Sequence, residues 1–324
     1  MRTDCHQHLW PAAFLDALRA RRTPPFLDGW TLHLAGEAPC PVDPAAHDVA
    51  RRAARERRDG TARALLSLSS PLGVEHLPGE EAAPLLAAWH DGTRDLPAPF
   101  AVWAAAGVCD VDPGPLAALL DRDRVVGLQL PATALADPAA LAHVGPLLEV
   151  CERAGRPVLV HPGPVRDPVR APGWWPAVVP YVQQLHAAWC TWHAAGRADH
   201  PALRLAFVAL AGLAPLHHER LTARGGALGA LDPLVHYETS SYGPRAVDAL
   251  VRVVGVDPLV LGSDRPYADP FAPADRPGFG AAFAHALTVT NPAHLLGGSR
   301  PPPPPPAPPP ARGTSTCRRR RAGS

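Results

Sequence analysis

The chain has 324 residues, a formal net charge of +1 and 47% hydrophobic residues. That length suits one (β/α)8 barrel with insertions, the apolar share can fill a large core, and the near-zero charge gives no field that would draw nucleic acid or an anionic membrane. Lysine is absent, all 31 of the Lys+Arg residues being arginine, which excludes a Schiff-base lysine, a pyridoxal phosphate anchor, a P-loop lysine and a carbamylated lysine between two metals.

In chain order, short β-type runs fall at Arg2–His6, Ala64–Leu68, Phe100–Ala104, Val125–Leu130, Pro157–Val160, Leu203–Val208, Val235–Thr239 and Pro258–Leu261. Helix-like stretches lie between them, among them Ala82–His90, Pro115–Leu120, Ala139–Ala154, Val178–Ala195, Pro215–Ala223, Arg245–Val254 and Ala281–Leu287. Eight strand–helix alternations in this length predict an α/β fold, a (β/α)8 TIM barrel over residues 1–298. The strands are almost wholly apolar, as they must be when both faces are covered. After the first helix, Thr23–Val42 carries the alternating "WTLHL" and several prolines, which predicts a small hairpin or flap over the barrel mouth. A second insertion, Pro162–Pro176, follows the fifth strand. Residues 299–324 are a run of prolines ending in Arg318–Arg321, a composition that supports no packed core and predicts a disordered tail.

Cys5, Cys40, Cys109, Cys151, Cys190 and Cys317 form no C-x-x-C pair, and the N-terminus shows no charged-then-apolar leader. Both features point to thiols in a reducing compartment and a soluble, cytoplasmic protein. The expected partner is a small-molecule substrate, with no nucleic acid or membrane, and a homodimer is a candidate assembly.

The strongest chemical signal is Asp4-Cys5-His6-Gln7-His8. Alternate side chains of a strand share a face at ~3.3 Å per residue, so His6 and His8 converge and can grip a borderline-soft divalent metal. Asp4 has the same parity and could steady a ligand ring. His161 directly follows the fifth strand and Asp264 follows the eighth, so both belong at the mouth. Three neutral imidazoles and one carboxylate suit one divalent ion, zinc first by donor type, with a position left open. Such an ion lowers the pKa of bound water to about 7 or polarises a carbonyl or carboxylate. Trp10, Gln129 and Arg265 are candidate substrate contacts, with Arg166 and Arg170 as alternative carboxylate holders and Trp174-Trp175 as a candidate aromatic wall. No G-x-S-x-G and no strand-linked G-x-G-x-x-G is present, which removes the serine-hydrolase and dinucleotide alternatives.

The segments "DCHQHLWP", "PVLVHPGP", "VHYETSSYG", "LVLGSDRPYADP" and "NPAHLLGG" resemble the amidohydrolase-2 family, the amidohydrolase-related group that includes the aminocarboxymuconate-semialdehyde decarboxylase type. The resemblance covers residues 1–298 and implies that His6, His8, His161 and Asp264 are ligands of a metal, usually zinc. It implies a metal-dependent hydrolase working through metal-bound water, placed first as the broader class, with a nonoxidative decarboxylase of small, often aromatic, carboxylates as the alternative. One departure stands out. The family's sixth strand normally ends in a histidine followed by glycines, and the matching position here is Ala209. A positioned acid–base group commonly contributes ~10²–10⁴-fold in rate. Its loss leaves Asp264 to share proton transfer, brings His217 and His218 in as distant substitutes, and makes a catalytically weakened metal-binding barrel a third alternative.

Overall fold

A computed structural model describes residues 1–35, 37–165, 171–226, 232–268 and 279–297. Strand β1 (Thr3–Gln7) leads through helix α1 (Ala12–Ala20) into three short strands, β2 (Phe26–Asp28), β3 (Thr31–His33) and β4 (Cys40–Pro41). There follow α2 (Val49–Arg58), β5 (Arg63–Leu66), α3 (Gly79–Arg94), β6 (Phe100–Ala105), α4 (Gly114–Leu120), β7 (Val125–Pro131), α5 (Pro138–Arg153) and β8 (Val158–His161). The second half runs α6 (Trp175–Val178), α7 (Pro180–Thr191), a π-helical turn Trp192–Gly196, α8 (Arg197–Asp199), β9 (Leu205–Phe207), α9 (His218–Ala223), β10 (Val235–Glu238), α10 (Pro244–Val254), β11 (Leu259–Val260), α11 (Ala281–His285) and α12 (Asn291–Leu295).

The eight-stranded sheet has the order β1-β5-β6-β7-β8-β9-β10-β11, with every paired neighbour parallel. Its two edges meet. The amide of Cys5 donates to Leu261, those of Ser263 and Asp264 donate to His6, and that of His8 donates to Arg265. The barrel is therefore closed, as the sequence predicts, and the ends of β1 and β11 lie side by side at its mouth. Strands β6, β7, β8, β9 and β10 are buried along their whole length, because helices cover their outer faces. Helix α10 shows how these helices attach: Val247, Leu250 and Val254 form its buried stripe, and Gly255 ends it at φ 79°.

The insertion after α1 is a three-stranded antiparallel sheet, β2-β3-β4, one strand more than a hairpin. Leu27 and Leu32 anchor it in the apolar cluster of Trp10, Phe14 and Trp89. After β9, five consecutive residues from Ala209 to Leu213 have φ between 47° and 63°. This stretch of left-handed backbone occupies the first part of a segment where alanine and leucine propensities favour an ordinary helix. The right-handed helix forms only at α9, and the early part of the predicted Pro215–Ala223 helix belongs to the preceding 3-10 segment. Gly212 has no room for a side chain: a Cβ there would lie 2.8 Å from the Val182 carbonyl oxygen on α7. No helix among the described residues is long and apolar enough to cross a membrane. The proline-rich segment 299–324 and the proposed domain limit at residue 298 lie outside the described residues.

Candidate metal centre

Four side chains that are distant in sequence meet where β1, β8 and β11 open at the mouth. One ligand atom each of His6, His8, His161 and Asp264 lies within 4.8 Å of all the others. The three imidazoles stand edge-to-face, with ring centroids 4.8, 4.9 and 5.1 Å apart. His6, His8 and His161 are buried, and Asp264 is the most open of the four, with a side chain 19% exposed. The residue adopts φ 55°, which turns the chain sharply after β11 and brings Oδ1 to 3.2 Å from His8 Nε2 and 3.9 Å from His6 Nε2.

The hydrogen bonds on the outer sides of the rings define their tautomers. His8 Nδ1 lies 3.0 Å from the Ser67 carbonyl oxygen and His161 Nδ1 lies 2.8 Å from that of Pro162. His6 Nδ1 lies 3.2 Å from Glu238 Oε2. All three partners are acceptors, so each Nδ1 carries the hydrogen and donates it, leaving Nε2 as a lone pair. Yet the Nε2 atoms of His6 and His8 approach to 3.1 Å. Two lone pairs and a carboxylate oxygen at such separations repel unless a cation lies between them. Ligand bonds of ~2.0–2.1 Å put neighbouring donors of a tetrahedral or octahedral ion roughly 2.8–3.4 Å apart; the 3.1 and 3.2 Å contacts fall in that range, while the 3.9 Å His6–Asp264 separation is wider.

The charge states of His8, His161 and Asp264 suit a cation as well. Burial, helped by the neighbouring imidazoles, lowers the pKa of His8 and takes that of His161 well below the ordinary value. For His6 burial acts in the same direction but is outweighed by the Glu238 carboxylate, so its pKa is raised. Burial would raise Asp264, but the His8 hydrogen bond and the three imidazoles hold it below its usual value.

Glu238, at the end of β10, was not singled out by the sequence reading. It is fully buried; besides His6, its Oε2 accepts from the Ser240 hydroxyl at 2.7 Å and the Ala209 amide at 3.3 Å, and its Oε1 accepts from the Ser240 amide. The available signal was an acidic residue ending a barrel strand, the same signal that marked Asp264. Gly262 makes room for it, since a methyl group there would overlap the Glu238 carboxylate. Ser241, at φ 63°, places its hydroxyl 3.5 Å from Asp264 Oδ2. The Tyr267 ring lies 5.4 Å from that of His8 and is exposed, and burial pushes the Tyr181 phenol up, with Glu37 and Asp264 adding to the shift.

The other sequence candidates sit elsewhere. Asp4 does not touch a ligand ring: it accepts from the amides of His6 and Ser263 and from the Gln7 side chain, tying β1 to the loop after β11. Arg265 turns away from the ligands, its guanidinium bonding Glu56 at 2.7 Å and Asp59 at 2.6 Å, so it offers no free fork to a substrate carboxylate. Trp10 is buried, stacked 4.4 Å from His47, with its indole N–H donated to Ser69. Gln129 is fully buried and donates to Ser70 at 2.6 Å and Glu75 at 3.2 Å. His217 stands against His186 of α7 instead of joining the cluster. Trp174 is 56% exposed. Arg166 and Arg170 lie outside the described residues.

A scan against protein-family models finds no match for this chain, and a search of curated proteins finds none either. Solved structures do share its fold. The apo form of IDCase from Metarhizium anisopliae aligns with a TM-score of 0.74 at 17% identity, covering 91% of this chain and 97% of that one. The 5-carboxyvanillate decarboxylase of Novosphingobium aromaticivorans, complexed with manganese and 4-hydroxy-3-methoxy-5-nitrobenzoic acid, aligns at 0.64 and 17% identity over 91% and 96%. A putative amidohydrolase from Staphylococcus aureus aligns at 0.69 and 16% identity over 91% and 99%.

Proposed function

We propose that this protein belongs to the amidohydrolase-2 group and is a metal-dependent nonoxidative decarboxylase of a small aromatic or unsaturated carboxylic acid. The observation that carries the proposal is the convergence of His6, His8, His161 and Asp264, with lone pairs facing inward, at the mouth of a barrel whose fold is shared with solved decarboxylases. This reverses the order given by breadth of class alone, in which hydrolysis stood first.

Ala209 favours the same choice. Hydrolysis needs a group to take a proton from the attacking water and return one to the leaving group. Decarboxylation needs less: the carbon–carboxylate bond breaks, carbon dioxide leaves, and the electron pair left on carbon takes up one proton. A divalent ion held by the four ligands would act as a Lewis acid that orients and polarises the substrate's oxygen substituents. In this reading, His6, His8 and His161 hold that ion, zinc or manganese. Asp264, the most open of the four and held below its usual pKa by the imidazoles, takes a proton from solvent water and passes it to carbon. Tyr267 and the flap close over the substrate ring and limit water. Arg265 and Arg52 are committed to internal partners, so neither is assigned to the substrate carboxylate.

The test is to load the protein with zinc or manganese and follow carbon dioxide release from a panel of hydroxylated aromatic carboxylates, with lactones, esters and amides in parallel. Carbon dioxide release that disappears in a His6→Ala/His8→Ala variant is the expected result. Hydrolysis of the second panel without carbon dioxide from the first would overturn it. An Ala209→His variant addresses the weakened-barrel alternative. An inactive parent that gains turnover with this substitution would show that the natural site lacks its base.

A further inference from the structure

We infer that the protein carries a second divalent-metal site on its outer surface, where His186, Cys190 and His217 supply two imidazoles and a thiolate to a borderline-soft ion such as zinc. It lies apart from the barrel mouth, on the faces that α7 and the segment before α9 present to each other.

His186 and Cys190 are four residues apart on α7, so they share one face with Cβ atoms about 5–6 Å apart. The ring of His217 stands against that of His186 at 4.9 Å between centroids, edge to face. Cys190 is exposed and its thiol is free. Next along the same face is His193, at the π-helical turn that follows α7. Its Nδ1 lies 2.8 Å from the Trp189 carbonyl oxygen, so it donates there and leaves Nε2 free. His218 bears on it electrostatically. Imidazole and thiolate donors on a helix at i, i+4 spacing, joined by a ligand from a neighbouring segment, are what a tetrahedral zinc site uses.

The protonation states need little change. Burial, reinforced by His217, keeps His186 below the ordinary imidazole value, so its ring is neutral and available near pH 7. The Cys190 S–H proton passes to solvent as the sulfur–metal bond forms. Among the described residues the mouth cluster is the one group of three or more ligands already within 4.8 Å of one another. In the surface set two imidazoles are already in contact, and the proposal requires the Cys190 side chain to turn toward them when the ion binds.

Cobalt(II) discriminates between the two places, because the mouth ligands include no thiolate. Titrating the full chain with cobalt should raise a thiolate-to-cobalt charge-transfer band that saturates at one equivalent. The band should vanish in Cys190→Ser, require about tenfold more cobalt or worse in His186→Gln/His217→Gln, and persist in His6→Ala/His8→Ala. No band in the parent at saturating cobalt, or a band that survives Cys190→Ser, would overturn the inference. Circular dichroism checks the fold of each variant, and Cys190→Ser decides alone if the double histidine variant does not fold.

Discussion

Replacing Glu238 by glutamine tests whether the His6 ring is held for metal binding by the carboxylate behind it. Glu238 uses both oxygens as acceptors, Oε2 for His6 Nδ1–H, the Ser240 hydroxyl and the Ala209 amide, and Oε1 for the Ser240 amide. A glutamine can keep one of these oxygens. Its NH2 group then faces a donor on the other side, and the negative charge 3.2 Å from His6 Nδ1 is gone. Loss of such an outer partner typically costs 10–100-fold in metal affinity, about 1.4–2.7 kcal/mol. Gly262→Ala should weaken binding in the same way, because its methyl group takes the space of the Glu238 carboxylate. The assay is competition for zinc against a chelator of known affinity, with circular dichroism to confirm the fold. An affinity within about twofold of the parent in a folded Glu238→Gln protein would refute the reasoning.

Three further outcomes follow from the geometry. Gly212→Ala should lower stability by at least ~2 kcal/mol in urea, since a non-glycine residue at φ 59° costs about 1–2 kcal/mol and the new methyl would crowd the Val182 carbonyl; a change below ~0.5 kcal/mol would contradict the left-handed turn. Arg265→Met should destabilise by about 3–5 kcal/mol, because it strands the buried Glu56 carboxylate, while KM in the folded fraction stays near the parent's; a raised KM with unchanged stability would restore its role as a substrate clamp. His90 accepts the Ala105 amide through Nε2, and burial together with Arg122 pushes its pKa from 6.5 to about 4. Because the folded value is depressed, the stability this provides is complete above pH 6.5 and is lost as the pH falls toward 4. His90→Gln should flatten that part of the pH dependence of the urea midpoint, and an unchanged slope would show that other groups set it.

The barrel was legible because each strand is a short apolar run and the strands alternate with helical stretches along the chain. The convergence of His6, His8, His161 and Asp264 was legible for a related reason. His6 and His8 share a strand face, and His161 and Asp264 each follow a strand, so topology alone brings them to one end. Glu238 was missed because its meaning lies in a contact with a residue 232 positions away. Arg265 was misassigned by its neighbourhood in sequence: it follows Asp264 directly, but its side chain points to α2, toward an acid 209 positions away. Gln129 lies within β7, two residues before its end, and the loop after β5 supplies Ser70 and Glu75 to cover it; nothing local announces that loop. The left-handed run after β9 is invisible to propensity, which favours an ordinary helix for alanine and leucine. Only Gly212 within it hints at the turn.

The most direct test of the central claim is the metal content of the purified full chain, measured in a His186→Gln/His217→Gln background so that the mouth is counted alone. One divalent ion per chain, removable by chelator, restored on addition and absent from the His6→Ala/His8→Ala variant, is the predicted result. A folded, metal-free protein that takes up no zinc, manganese or cobalt would contradict it.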